Sequence, residues 1–357
     1  MKEHEQTEKG MSRRNFVKGL AAGAAIGYFA TSGLSSTLLK RQFVKHPAVG
    51  AHDIGELQSL KITCISETSW FNGTILLDDI MRAGGIPANQ YTIDWTTSGV
   101  EEGFNGDNSG GYSALIETEG LDGERHTFLL DVGWSVPWNE RRFKDENLIK
   151  SLENGEIEFA FISHEHFDHY WGLPFITKHN PELPMYIPST FYPEGYDLME
   201  KAGFRGELVE HEPGQIYNLF PGCAAVTFDV PILVRVRGEQ VLYFNIKDKG
   251  LVTVTGCCHP GIITLSEFAR QTFAGGEKIY GVYGGLHVSP FEAWDPSFDD
   301  LVFALPGYGI ERIGANHCTG LVTVQRMVET GLPVVRGTAQ HKSASDLYLG
   351  NGDTITF

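Results

Sequence analysis

The stretch SHEHFDHYWGL, at residues 163–173 of this 357-residue chain, contains three histidines and one aspartate within six residues. These side chains are His164, His166, Asp168 and His169. Imidazole suits zinc, copper, iron and nickel, and a carboxylate can join it as a hard oxygen ligand. Four ligands so close together can hardly all bind one tetrahedral ion, so the stretch predicts that two metal ions share it.

An apolar segment of strand length, residues 157–162, runs directly into these histidines. Gly172 and Pro174 follow them, and both residue types interrupt regular structure. We therefore predict that the histidines lie where a strand gives way to a loop or to the first turn of a helix. An exposed histidine-rich loop is the alternative, but an aspartate in this order directly after a strand favours metal binding.

Histidine or cysteine recurs, together with glycine, after three later segments that have the pattern of strands, at residues 251–255, 278–282 and 311–315. The candidate site residues in these places are Cys257, His259, His287 and His317. A single histidine there is more often structural than a ligand. The same residue types at four strand ends, however, predict one site along one edge of the sheets.

Two paired strands and an insertion are predicted before the histidines. The strands, at residues 112–117 and 126–131, are joined by a turn, and the second ends in Asp131 ahead of a glycine turn. Residues 70–111 show no clear period, apart from a short helix predicted at 77–83. Loops of this length are usually functional, so we interpret this stretch as an insertion near one mouth of the site. Surface decoration is the alternative.

The remaining elements complete an α/β pattern. Helices are predicted at residues 147–152, 191–203 and 265–273, and a further helix is predicted to end near residue 329. Strands are predicted at residues 60–66, 184–187, 241–246, 334–335 and 354–357.

The charge of the chain excludes one class of partner. The formal net charge is −17, and 41% of the residues are hydrophobic, which is enough for a sizeable core. A surface this acidic disfavours broad nucleic-acid binding, whereas an anionic small-molecule substrate stays possible because bound cations dominate their local field. Five cysteines are too few for a disulfide scaffold in a chain of this length.

The first forty residues resemble an export signal. Ser12-Arg13-Arg14-Asn15-Phe16-Val17-Lys18 is similar to the twin-arginine (Tat) motif, and an uncharged stretch rich in alanine and glycine follows at residues 19–39. The resemblance implies a signal peptide at residues 1–40, recognition by the Tat translocase, and a periplasmic or other extracytoplasmic location. The stretch is weakly hydrophobic, so no stable membrane span is expected. An ordinary amphipathic helix is the alternative.

The histidine motif resembles the signature of the metallo-β-lactamase superfamily. His164-x-His166-x-Asp168-His169 is its metal motif, the Asp131 segment is similar to its preceding aspartate motif, and His317 is similar to its last histidine. This resemblance implies a four-layer αβ/βα sandwich over about residues 60–357, within a single domain at residues 41–357. It also implies a dimetal site at the edge where the two sheets meet.

Three later motifs resemble one subgroup of that superfamily. They are TGCCHPGI at residues 255–262, GGLH at 284–287 and HCTG at 317–320. The subgroup carries the name 7,8-dihydropterin-6-yl-methyl-4-(β-D-ribofuranosyl)aminobenzene-5′-phosphate synthase. The name implies a transferase that joins a pterin to an aminobenzene ribotide. Such an activity fits poorly with Tat export, because its substrates would be cytoplasmic.

The superfamily resemblance also implies roles for individual residues. His164, His166 and a later histidine would hold one metal, while Asp168, His169 and His317 would hold the second. Asp131 would orient a ligating imidazole.

The chain departs from the superfamily pattern on one side of the site. It has no histidine between residues 211 and 259, and no aspartate ends the 251–255 strand. We therefore predict His259 as a ligand. Cys257 is either a thiolate ligand, a neighbour of the metals or a small buried hydrophobe.

Two further residues are predicted near the substrate. His287 is predicted to contact substrate rather than metal. Tyr170 and Trp171 are candidates to line the pocket, although an aromatic pair after a loop is more often part of the core.

The predicted chemistry is metal-dependent hydrolysis. Two zinc ions about 3.5–4 Å apart can share a hydroxide that is a nucleophile near neutral pH. Asp168 would orient this hydroxide and accept its proton as the catalytic residue. The chain contains no G-x-S-x-G motif, so a serine nucleophile is not indicated.

A hydrolase of ester, lactone or phosphoester substrates is the leading hypothesis. The synthase-like transferase and a non-catalytic periplasmic metal- or ligand-binding protein are the alternatives.

Overall fold

The computed structural model describes residues 50–67, 73–95, 110–290 and 293–357. The predicted signal peptide and part of the predicted insertion, residues 70–72 and 96–109, lie outside the described residues. Among the helices that are described, none is long and apolar enough to span a bilayer.

The described strands alternate with helices along most of the chain. In chain order, the strands are β1 (Leu57–Ser66), β2 (Ser113–Gly120), β3 (Arg125–Leu130), β4 (Ala160–Phe161), β5 (Met185–Pro188), β6 (Leu208–His211), β7 (Ile216–Phe220), β8 (Cys223–Ile232), β9 (Val236–Ile246), β10 (Gly250–Thr255), β11 (Ile279–Gly285), β12 (Arg312–Asn316) and β13 (Thr354–Thr356). The helices are α1 (Gly73–Arg82), α2 (Val136–Asp145), α3 (Ile149–Glu153), α4 (Phe167–Tyr170), α5 (Leu173–His179), α6 (Pro193–Lys201), α7 (Ile262–Thr272), α8 (Phe298–Ala304) and α9 (Leu321–Glu329). Short 3-10 helices cover Gln90–Thr92, Leu233–Arg235 and Leu305–Tyr308.

Hydrogen bonds connect the strands in the order β12-β11-β10-β9-β1-β2-β3-β4-β5-β6, with β13 beside β1 and β8 between β7 and β9. β1 and β9 meet at one register pair, Leu57 with Ile246, and this point divides the strands into two halves. Strands β3 to β6 run parallel in one half, and β10 to β12 run parallel in the other. Parallel strands end at the same edge, so side chains that follow them are brought together.

Alternation of side chains along the strands builds three apolar layers. In β2, Ile116 belongs to the layer between the two halves, whereas its neighbour Leu115 faces the helices of the first half. In β9, Phe244 joins the same inner layer, whereas Tyr243 faces the helices of the second half. Each half is therefore covered by apolar side chains on both faces.

Helices close the two outer faces. The outer layer of the first half includes buried residues of α2, α3, α5 and α6, and that of the second half includes residues of α7, α8 and α9. The order from one surface to the other is helices, strands, strands, helices. The predicted four-layer αβ/βα sandwich is confirmed.

Several predicted elements differ from the structure in extent. The extended segment before the histidines has only two residues in the regular ladder, Ala160–Phe161, instead of the predicted six. Residues 334–335 were predicted as a strand, but Val334 forms an isolated bridge with Ile313. Helix α2, with the sequence VPWNERRFKD, was not predicted. A cap by Ser135, whose Oγ accepts from the Trp138 backbone N–H at 3.4 Å, begins it.

The part of the insertion that is described packs against the histidine motif. Helix α1 overlaps the helix predicted at residues 77–83. Beyond it, Ile93 and Trp95 form a small buried cluster with Trp134, Phe167 and Val234. Phe167 lies inside the motif, so this part of the insertion is attached to the site rather than being surface decoration.

The inner apolar layer predicts a large stability difference between two phenylalanines. Phe244→Ala removes a fully buried ring from that layer and should lower the free energy of unfolding by about 3–5 kcal/mol. Phe303→Ala is the matched control, because its ring is 61% exposed and its removal should change little. Denaturant unfolding followed by circular dichroism measures both, and equal stability of the two variants would contradict the inner-layer assignment.

Candidate metal centre

The strand ends bring the predicted ligands into one cluster. The histidine motif follows β4, Cys257 and His259 follow β10, and His317 follows β12. Within the described residues, ligand atoms lying within 4.8 Å of one another form four overlapping groups. The groups are His164/His166/His259, Asp168/His169/His317, His164/His169/Cys257 and Cys257/His317/Cys318.

Close backbone approach allows the loops to meet. A Cβ atom on Gly256 would lie 2.1 Å from Ser163 Oγ, so the loop after β10 can reach the histidine motif only with glycine at this position. Ser163 Oγ in turn donates to Asp131 Oδ2 at 2.7 Å, and the Ser163 N–H donates to Asp131 Oδ1 at 2.6 Å. Asp131 therefore fixes the start of the motif.

In each of the three histidines of the first group, the ring nitrogen that points away from the group faces a hydrogen-bond partner. His259 Nδ1 lies 2.8 Å from Glu239 Oε2, and His166 Nε2 lies 3.0 Å from the Leu233 carbonyl oxygen. His164 Nδ1 lies 2.9 Å from Ser163 Oγ, whose proton is already given to Asp131. We assign the proton of each neutral ring to the nitrogen facing these acceptors.

In the second group too, the ring nitrogens that point away from the group face hydrogen-bond acceptors. His169 Nδ1 lies 2.6 Å from Asp131 Oδ2, and His317 Nδ1 lies 3.4 Å from the Glu67 carbonyl oxygen. The two Nε2 atoms then face each other at 2.9 Å. Asp168 Oδ2 lies 3.6 Å from His317 Nε2, so a carboxylate completes this group. Asp131 therefore contacts the His169 ring, and its role in orienting that ring stays a prediction.

The unprotonated nitrogens of the five rings therefore converge. His164 Nε2 and His166 Nδ1 are 2.9 Å apart, and His259 Nε2 is buried without a hydrogen-bond partner among the described residues. Lone pairs at this distance repel unless a proton or a metal cation lies between them. The donor set of imidazole nitrogens, a carboxylate and a thiol fits divalent metal ions.

Burial keeps four of these histidines neutral, namely His164, His166, His169 and His317. It lowers the pKa of His166 and of His317 to about 3. Burial, followed by the neighbouring imidazoles, also lowers the pKa of His164 and His169 well below the ordinary histidine value. Neutral imidazole is the form that binds a metal, so the apolar surroundings prepare the ligands.

Cys257 lies among the ligands. Its Sγ is 3.1 Å from His169 Nε2, and the residue is 3% exposed. Cys318 lies beside it and donates from Sγ to the Cys257 carbonyl oxygen at 3.4 Å. Both thiols are free, as are the other three cysteines of the chain.

The two predicted substrate residues have different positions. His287 is half-buried and its ring lies 4.6 Å from that of His259, at the margin of the ligand groups. Tyr170 is fully buried, its hydroxyl donates to the Gly195 carbonyl oxygen at 2.9 Å, and its ring packs on Phe191 in the outer core. This placement gives no support to substrate contact by Tyr170, because its polar atom and its ring are both engaged inside the protein.

Backbone strain is present at the same strand ends. Four residues other than glycine adopt positive φ angles there, between 49° and 65°: Asp131, Cys258, His287 and His317. Such conformations cost of order 1–3 kcal/mol each, and they persist only where the surrounding contacts impose them. Eight further described residues other than glycine also have positive φ angles, so the strain by itself does not identify the site.

One supporting residue belongs to the insertion and was not predicted. The Gln90 side chain donates from Nε2 to the Glu165 carbonyl oxygen at 2.8 Å and accepts from the Phe167 N–H at 3.0 Å. These two bonds bracket His166 on both sides. Gln90 is itself buried, and nothing in its local sequence pattern distinguishes it.

Glu239 was also missed, although its sequence context contains a signal. It is a fully buried carboxylate within β9, whose sequence VRGEQVLYFNI is otherwise apolar beyond its first residues. A buried charge requires partners, so a Glu-Gln pair entering an apolar strand indicates a polar site.

Comparisons with known proteins agree with this geometry. Residues 106–267 match the family model described as Metallo-beta-lactamase superfamily. This match assigns residues 106–267 to a metallo-β-lactamase superfamily domain. A solved structure described as a metal-dependent hydrolase of the beta-lactamase superfamily has a TM-score of 0.52 at 18% identity, covering 84% of this chain and 98% of that one.

A curated relative supports the narrower resemblance. The Methanocaldococcus jannaschii protein named 7,8-dihydropterin-6-methyl-4-(beta-D-ribofuranosyl)-aminobenzene-5'-phosphate synthase is 26% identical over 258 residues. The match covers 61% of this chain and 84% of the relative.

The Gln90 contacts predict a specific loss on substitution. Gln90→Leu keeps the bulk but leaves the Glu165 carbonyl and the Phe167 N–H without their buried partner, so stability should fall by about 1–3 kcal/mol. Metal affinity should fall as well, because His166 lies between the two groups. Gln215→Leu, at an exposed position, is the control. Thermal unfolding measures the stability and zinc titration measures the metal affinity. Wild-type stability and affinity in Gln90→Leu would refute the role of Gln90 in holding His166.

Proposed function

We propose that this protein is a metal-dependent hydrolase that holds two divalent ions, with zinc as the expected metal. The observation that carries the proposal is the convergence of ring nitrogens from five histidines, together with a carboxylate, in one buried cluster. Bound metals supply a nucleophile from water at neutral pH and polarise the substrate's carbonyl or phosphoryl oxygen. Esters, lactones and phosphoesters are the substrate classes that this chemistry serves.

The residues of the chain have separate tasks in this proposal. Asp168 orients the attacking water and takes up its proton, because its carboxylate lies beside both His169 and His317. His287 contacts the substrate at the margin of the ligand groups. Asp131, Glu67 and Glu239 hold the ligating rings through their outward nitrogens.

A second candidate is a synthase-like transfer reaction. The name of the Methanocaldococcus jannaschii relative favours it, at 26% identity. Turnover of a dihydropterin with an aminobenzene ribotide, without hydrolysis of esters, lactones or phosphoesters, would replace the hydrolase proposal. Full metal occupancy without turnover in either assay would instead indicate a binding protein.

Metal removal and Asp168 substitution test the hydrolase. Chelation should abolish activity on a panel of phosphodiesters, lactones and β-lactams, and added zinc should restore it. Asp168→Ala should lower kcat by about 10²–10⁴-fold, the range for loss of a general base. His179→Ala is the matched control, because this histidine pairs with Glu153 at 2.8 Å in the helical layer. Activity that survives both chelation and Asp168→Ala would refute the proposal.

We further propose that the protein is exported through the Tat pathway to an extracytoplasmic location. The support is the motif at residues 12–18 and the uncharged stretch at 19–39, both outside the described residues. Replacing Arg13 and Arg14 by lysine should retain the protein in the cytoplasm, as cell fractionation with a cytoplasmic marker would show. Unchanged export of this variant would refute recognition by the Tat translocase.

A further inference from the structure

The Glu239 carboxylate is the hydrogen-bond centre of the loop that follows β10. Its Oε1 accepts from the Thr255 hydroxyl at 2.9 Å, the Cys257 N–H at 3.0 Å and the Cys258 N–H at 2.7 Å. Its Oε2 accepts from the His259 N–H at 2.7 Å and from His259 Nδ1 at 2.8 Å. Five bonds to one fully buried side chain leave it no room for another partner.

This arrangement requires a carboxylate. An ionised carboxylate is acceptor-only and offers about four lone-pair sites on two oxygens, which the five donors saturate. A glutamine of the same shape would turn an NH₂ group toward donors at one of the two positions. Two or three N–H or O–H groups would then face another donor inside the protein, which is costly because no water can replace the lost acceptor.

The residue beside Glu239 anchors the other half of the centre. The Gln240 N–H donates to the Ser163 carbonyl oxygen at 2.8 Å, and its Nε2 donates to the Ile162 carbonyl oxygen at 2.6 Å. Adjacent residues of a strand point to opposite faces. One strand, β9, therefore fixes both the segment that carries His164 and the loop that carries His259.

We propose that Glu239 is a positioning residue that places Cys257 Sγ and His259 Nε2 at the metal centre. It sets the tautomer and angle of the His259 ring and orders the backbone on which Cys257 stands. It also provides a buried negative charge beside the loop that carries Cys257 and His259. The inference rests on the proposed metal binding and assigns Glu239 no contact with metal or substrate.

The test compares two buried carboxylates in the full-length chain. Glu239→Gln should lower zinc affinity by about 10–100-fold, as loss of a ligand-orienting partner does elsewhere. It should also change the visible absorption spectrum of the cobalt-substituted protein, which reports ligand geometry. Asp353→Asn is the matched control, because that buried carboxylate accepts three hydrogen bonds, from Thr338 and Gly350, and touches no predicted ligand. It should destabilise the fold while leaving zinc affinity and the cobalt spectrum unchanged.

A second comparison separates positioning from general stabilisation. If Glu239 acts largely through His259, the affinity loss caused by Glu239→Gln should be at least about threefold smaller in a His259→Ala background. An equal loss in both backgrounds would overturn the positioning of His259. Wild-type affinity and spectrum in Glu239→Gln would overturn the positioning role as a whole. Both results would leave the hydrolase proposal intact. A wild-type chain that binds no zinc would overturn the hydrolase proposal together with this one.

If Glu239→Gln does not fold, a measurement on the wild-type chain tests whether Glu239 sets the tautomer of the His259 ring. Nitrogen-15 NMR of the histidine rings distinguishes the two neutral tautomers, and His259→Ala assigns the resonance. The proposal expects the proton on Nδ1 of His259, facing Glu239. A proton on Nε2 in the metal-free protein would overturn it.

Discussion

The arrangement of the centre depends on the mutual repulsion of imidazole lone pairs and on the contacts that hold them together despite it. His169 Nε2 and His317 Nε2 lie 2.9 Å apart, as do His164 Nε2 and His166 Nδ1. Each ring is kept in place by a hydrogen bond from its other nitrogen to an acceptor behind it. The protein therefore holds the ligands in a geometry that a cation stabilises, and the cost of assembling them is met by folding.

The four-layer architecture makes this possible because it brings two sets of parallel strand ends to one edge. The first half contributes the motif after β4, and the second contributes the loops after β10 and β12. Buried side chains on both faces of each half make these ends rigid. The insertion and strand β9 then secure the motif and the β10 loop through Gln90, Glu239 and Gln240, side chains whose hydrogen bonds lie within the protein interior.

Much of the architecture could be predicted because apolar periodicity is a local property. The β2–β3 pair and the long helix α7 both follow from spacing within about ten residues. The strand predicted at residues 334–335 was wrong for a different reason. Val334 forms a single bridge because it meets β12 only at Ile313. That partner is not visible in the neighbouring sequence.

The sequence by itself determined which residue types can bind a metal and that they follow apolar strands. Histidine and aspartate chemistry, and the order of the motif, are sufficient for that conclusion. Only the tertiary structure decided which nitrogen of each ring is free, how near Cys257 comes to His169, and that Glu239 holds His259. The physical reason is distance along the chain: Cys257 and His169 are 88 residues apart, and Glu239 and His259 are 20 apart. Contacts at such separations arise from the packing of whole layers, which local patterns do not specify.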